Sequence, residues 1–124
     1  MSVVACLGWV WRRPFRVVVQ GASMEPTLRA GDFLLAVRAR RILRGSLVVV
    51  EHPGRPGHEM VKRVEGVPGD LVQGELLGEG RYWLMGDDPS GSTDSRSFGA
   101  VPERLVKGVV LARYWPPSAV TRFA

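Results

Sequence analysis

Lysine is scarce in this sequence. Lys62 and Lys107 are its two lysines among 17 basic residues, and the rest are arginine. Arginine keeps its proton at any ordinary pH, whereas a desolvated lysine gives it up. A chain built this way retains very few amines that could act as a base. Cysteine is scarcer still. Cys6 stands alone, which excludes an internal disulfide and a cysteine-built metal cage; it reads as a small apolar residue. No apolar run reaches the ~20 residues that span a bilayer. The first stretch, MSVVACLGWVW, is about half that length and stops at Arg12, Arg13 and Pro14. It lacks the charged start and cleavage site of a secretory signal. It reads either as an interfacial anchor, with Trp9 and Trp11 at headgroup depth, or as a first strand. Long helical periodicity, repeats and low-complexity tracts are also missing.

What remains fits one folded domain. The 124 residues are 45% hydrophobic, enough for a packed core. Residues 1–13 form the short apolar segment, 14–118 the domain and 119–124 a tail. The net charge of +5 admits nucleic acid, anionic lipid or an acidic segment as partner. The densest basic cluster, Arg38, Arg40, Arg41 and Arg44, has no interleaved aromatics, so it reads as a solvated strand end or loop rather than a nucleic-acid surface. His52 and His58 flank a Pro/Gly loop beside Glu51 and Glu59, with no implied ligand geometry.

Strand signals dominate. They lie at 15–20 (FRVVVQ), 32–38 (DFLLAVR), 46–52 (SLVVVEH), 59–67 (EMVKRVEGV), 81–87 (RYWLMGD) and 106–115 (VKGVVLARYW). Gly/Pro clusters separate them at 52–58, 67–70 and 87–94. Asp32 and Asp70, each after a glycine, read as turn residues. One helical turn is expected from Met24 to Arg29, with Pro26 near its start. Tyr82, Trp83, Tyr114 and Trp115 are expected in the core or a cleft wall. The expected fold is mostly β, a compact barrel-like or two-sheet structure.

Three segments carry chemistry. In GASMEPTLRAGD, Ser23 is framed by Gly21 and Ala22, small enough for a substrate backbone to approach, and Pro26 stiffens the loop. A serine hydroxyl needs a base before it can attack. In EMVKRVEGVPGD, Lys62 lies in an apolar run. A free lysine titrates near ~10.4, and burial lowers that by up to ~3–5 units, into the range of a working base. Met60, Val61 and Val64 are the neighbours able to desolvate it. Arg63, on the opposite side of the strand, is expected to face solvent. In GDDPSGSTDSRSFG, Ser92 could orient an amine, and Asp94 and Arg96 are spaced for an ion pair.

In this order, SMEPTLRAGD (23–32), VKRVEGVPGD (61–70) and GDDPSGSTDSRSFG (86–99) resemble the type I signal peptidases, proteases with a Ser/Lys dyad. The resemblance implies that Ser23 is the nucleophile, Lys62 the general base and Ser92 a serine that holds the lysine amine. It also implies a mainly structural Asp94–Arg96 pair, and a substrate cleft at Gly21, Ala22 and Met24. The Ser23 N–H would donate to the oxyanion. The substrate would be a protein bearing a leader or signal segment, with small residues at positions −1 and −3, bound as an added strand. No metal or organic cofactor is expected. Two positions depart from the pattern. Gly21 stands where some bacterial members carry a serine that completes the oxyanion hole, and Asp88 stands where asparagine is frequent. The short spacing between Ser23 and Lys62 leaves no room for a large inserted domain, and the tail VKGVVLARYWP, after a loop beginning GDDP, looks most like the small branch linked to maturation of nickel-type superoxide dismutase. That branch implies a cytoplasmic setting, and the general family a membrane surface. The self-cleaving repressors of the DNA-damage response share the dyad but lack the DSR block. The rival reading is a non-catalytic basic β-barrel binding module.

Overall fold

The computed structural model describes residues 13–38, 41–90 and 93–124. The readings of Cys6, Trp9, Trp11, Arg12, Arg40 and Ser92 lie outside the described residues. Six strands match the valine-rich runs: β1 (Pro14–Val18), β2 (Phe33–Val37), β3 (Leu47–Glu51), β4 (Glu59–Gly66), β7 (Arg81–Met85) and β9 (Val106–Trp115). β-Branched and aromatic side chains favour the pleated, half-buried surface these strands occupy. Short additions complete the fold: β5 (Leu71–Val72), β6 (Glu75–Leu76), α1 (Ser95–Phe98), β8 (Val101–Pro102) and β10 (Thr121–Arg122).

The main sheet is antiparallel, in the order β1-β2-β9-β3-β4-β7-β8, with β10 also on β9. It curls strongly into a half-barrel, and β5 and β6 form a separate small hairpin. Register shifts between β2 and β9 and between β3 and β9 supply the local bending that curling needs. Gly108 permits a close approach of backbone to backbone: a Cβ there would meet the Val37 carbonyl oxygen at 2.6 Å and the Phe15 ring at 2.8 Å.

Both faces of the curled sheet are covered. Leu34, Ala36, Leu47, Val49, Val61 and Val110 pack on one face with Val19, Met24 and Leu28 from the segment after β1. Val48, Val50, Val64, Leu84 and Val109 pack on the other, closed by Ile42, Val101 and Leu105. The last residues, read as a tail, join the sheet: Thr121 and Arg122 pair with Arg113 and Ala112, and Phe123 packs on the first cluster.

Two expectations change. Residues 24–29 form turns, not a helix. One helix-like bond runs from Leu28 N–H to Met24 O (2.9 Å), and it is not continued because the next donor, Arg29 N–H, binds the Asp32 carboxylate instead. Tyr82 and Trp83 are buried, but Tyr114 and Trp115 are exposed beside Phe33. The arginine cluster is solvated, as expected: among its described members Arg38 and Arg41 are exposed, and Arg44, also exposed, is tied to Asp70 beside the β5–β6 hairpin. Asp32 and Asp70 do cap turns, accepting from Arg29 N–H and Val67 N–H, and each also binds an arginine.

Candidate active site

The sheet order leaves β1 as an edge. Among the described strands it pairs with β2 alone. β7 leaves β4 early, pairing only along Arg63–Gly66, so among the described strands Glu59–Lys62 pairs only with β3. The curl brings these two open edges to opposite walls of one cleft of about 660 Å³. Residues 16–24 form one wall, residues 57–62 the other, and Thr93 adds to the lining.

Ser23 and Lys62 both line this cleft. Ser23 sits half-buried in the turn that follows β1. Glu25 N–H donates to the Ala22 carbonyl (3.1 Å), closing the chain tightly around it. Gly21 enters that turn at φ +77°, while the space around its missing Cβ is open. Backbone conformation, not crowding, is therefore what favours glycine here; a serine would fit the space but not the torsion. Met24 does two jobs. It borders the cleft and is 2% exposed within the first apolar cluster, which pins the turn to the core.

Lys62 is 2% exposed. Its cross-strand partner is Val48, and Met60 faces Val50, so the lysine shares its side of β4 with Met60, Val64 and the second apolar cluster. Val61 belongs to the opposite cluster. Burial pushes the Lys62 amine below the usual lysine range. Asp94 pulls it back up, and Arg96 pushes it further down.

Asp94 is fully buried and caps α1. Its carboxylate accepts from Gly86 N–H (3.1 Å), Arg96 N–H (3.1 Å), and Arg96 Nε and Nη2 (both 3.0 Å). Ser95 Oγ accepts from Leu84 N–H, fixing α1 to β7. Without the guanidinium, the Asp94 charge would hold the proton on Lys62. The His52 ring, whose own titration is depressed first by burial and then by Arg55, His58 and Lys62, adds only a like charge when protonated. Arg96→Ala is therefore expected to shift the rise of kcat/KM to higher pH, read from a pH–rate profile. An unmoved profile would exclude this charge balance.

Sequence reasoning missed a group beside Ser23 and Lys62. Arg63 is not solvent-facing: it is half-buried, and its Nε and Nη2 donate to Asp87 (both 2.9 Å). Asp87 also accepts from Thr27 Oγ1 at 2.6 Å. The next residue, Asp88, donates its N–H to the Ser23 carbonyl (2.9 Å), while its carboxylate accepts from Ser90 N–H and Oγ. Those bonds ask only for an acceptor, so an aspartate serves where asparagine was the expected pattern. His52 also stays local, accepting from Gly54 N–H and stacking edge-on against Phe98. No group of three or more potential metal ligands occurs among the described residues. No described helix is long and apolar enough to cross a membrane.

A half-barrel with a buried lysine and a serine on one cleft, both beside open strand edges, has the architecture of a β-fold peptidase. The chain belongs to the signal peptidase, peptidase S26 family, whose model matches residues 2–76 and 72–115. It is similar to mitochondrial inner membrane protease subunit 1 of Xenopus tropicalis, at 38% identity over 114 residues covering 81% of this chain and 68% of that protein. The human protein of that name is 34% identical over 116 residues, covering 82% and 70%. The mitochondrial ATP-independent inner membrane protease subunit 1a of Arabidopsis thaliana is 38% identical over 116 residues, covering 80% and 69%. The function is that of a signal-peptidase-type processing peptidase.

Proposed function

We propose that the chain is a serine endopeptidase using Ser23 and Lys62 as a dyad to remove an N-terminal leader from a protein substrate. The observation that carries this reading is the lysine: a 2% exposed amine, depressed in pKa by burial, opening on the cleft that Ser23 also lines. A lysine kept neutral near working pH can take the serine proton, which an exposed one cannot.

The neutral Lys62 amine accepts the Ser23 Oγ proton as Oγ attacks the substrate carbonyl. The tetrahedral oxyanion takes a hydrogen bond from Ser23 N–H. The Lys62 ammonium then protonates the leaving amine nitrogen as the peptide C–N bond breaks, leaving an ester on Ser23. Lys62 next takes a proton from water, whose oxygen attacks the ester, and Ser23 leaves with that proton. Ser92 orients the amine in this scheme, and the Asp94–Arg96 pair supports it. The substrate lies extended between the two open edges, bonding to β1 on one side and residues 59–62 on the other. Small residues at −1 and −3 fit a cleft walled by Gly21, Ala22 and Met24.

Membrane association follows from the relatives, which are named for the mitochondrial inner membrane. A nickel superoxide dismutase precursor is the alternative substrate. Incubation with both kinds of leader-bearing protein, followed by mass spectrometry of the new N-terminus, separates the two. Ser23→Ala is expected to abolish cleavage and leave no acyl-enzyme mass; cleavage retained by that variant would end the dyad assignment.

A further inference from the structure

We propose that Asp87 is a positioning residue for the reaction, clamping the strand that carries Lys62 to the turn that carries Ser23. The inference rests on the dyad reading above and adds to it a device that fixes the two groups relative to one another.

Lys62 and Ser23 sit on elements that share no strand pairing. β4 pairs with β3 and β7, and the Ser23 turn extends from β1 at the sheet's far edge. A dyad split in this way needs a tie, since misplacing reacting groups by about 1 Å can cost ~10²-fold in rate. Asp87 supplies it from the end of β7. One carboxylate oxygen binds Arg63, the residue after Lys62, and the other binds both Arg63 and Thr27. Arg63 is anchored in turn, Nη1 donating to the Gly45 carbonyl at 2.9 Å. Thr27 belongs to the same turn segment as Ser23, and the Leu28-to-Met24 bond stiffens the chain between them. The Thr27 carbonyl is held from the other side by Arg113 Nη1 (2.8 Å), which also grips Asp32 (3.0 Å). The ring closes through the backbone, because the Asp88 N–H binds the Ser23 carbonyl. Two adjacent residues thus grip the nucleophile turn, one through its side chain and one through its peptide.

The Arg63 guanidinium holds the Asp87 carboxyl below the usual carboxylate range, with Thr27 assisting. The clamp is therefore charged throughout the range in which a lysine base works, and is lost only as pH falls through that depressed value.

The test uses the full chain and a fluorogenic peptide with alanine at −1 and −3. Thr27→Val keeps shape and removes one hydrogen bond to a charged acceptor. It is expected to lower kcat roughly tenfold to hundredfold, the scale of such a bond, with KM within about twofold. Thr27→Ser, which restores the hydroxyl, should recover most of the rate. Arg63→Lys, which keeps charge but not the two-pronged grip, should lower kcat in the same way, and stands in if Thr27→Val does not fold. Wild-type kcat in folded Thr27→Val and Arg63→Lys would overturn the clamp. So would losses of rate that follow the melting temperature and are not rescued by serine. Ser23→Ala in parallel keeps the two ideas apart: cleavage surviving there defeats the dyad, whereas a dead Ser23→Ala beside a fully active Thr27→Val defeats the clamp alone.

Discussion

Lys62→Met is expected to abolish turnover and to make the protein more stable at neutral pH. The first effect follows from losing the proposed base, a group that contributes ~10²–10⁴-fold in comparable reactions. The second follows from linkage. In the unfolded chain the lysine holds its proton up to about pH 10.4; in the folded chain burial releases it earlier. Between the depressed folded value and the unfolded one, the unfolded state binds more protons, so stability rises with pH across that window. Below the window the native protein carries a buried charge in full. Methionine matches the length of the side chain without the charge, so its gain is largest there and vanishes above about pH 10. Thermal melts from pH 6 to 10 with parallel peptide assays read both effects. A methionine variant that keeps a tenth of the wild-type rate, or that melts lower at pH 6, would remove the buried base from the scheme.

Asp94→Ala should have the largest effect on folding. The carboxylate has no solvent exposure and accepts from the Gly86 and Arg96 N–H groups and from the Arg96 guanidinium. Losing a helix cap costs about 0.5–2 kcal/mol. Leaving the Gly86 N–H unsatisfied adds ~1–3 kcal/mol. For a chain of this size that is a fall of roughly 10 °C in melting temperature. Arg96 is partly solvated and can turn to water, so it adds little. Asp94→Asn keeps an acceptor and should recover at least half the loss. Equal melting temperatures for alanine, asparagine and wild type would show that the cap carries no stability.

The strands were legible because β-branched runs bounded by Gly and Pro have few other folds open to them. β9 begins and ends where its valine-rich run does. β5, β6, β8 and β10 are two residues each, too short for any alternation to be seen. Lys62 stood out because the chain uses so few amines. Arg63 was misread for an instructive reason. Alternation correctly put it opposite Lys62, but the curled sheet is covered on both faces, so the opposite side is not water. Thr27 and Asp87 are sixty positions apart, and only the closure of the half-barrel brings them together. No local pattern announces such a pair. The resemblance assigned Asp94 and Arg96 a structural pairing; their electrostatic influence on Lys62 emerges from burial and proximity in the folded chain.

The two open edges that flank the cleft carry a consequence for what the protein can attack. On the proposed reading, an entering segment has to present bare amide groups to left and right at once, so any stretch already committed to its own helix or sheet is refused. On the proposed reading, the fold of the client then decides where trimming stops: a loose leader is accessible, and the structured body beyond it is spared without being recognised at all.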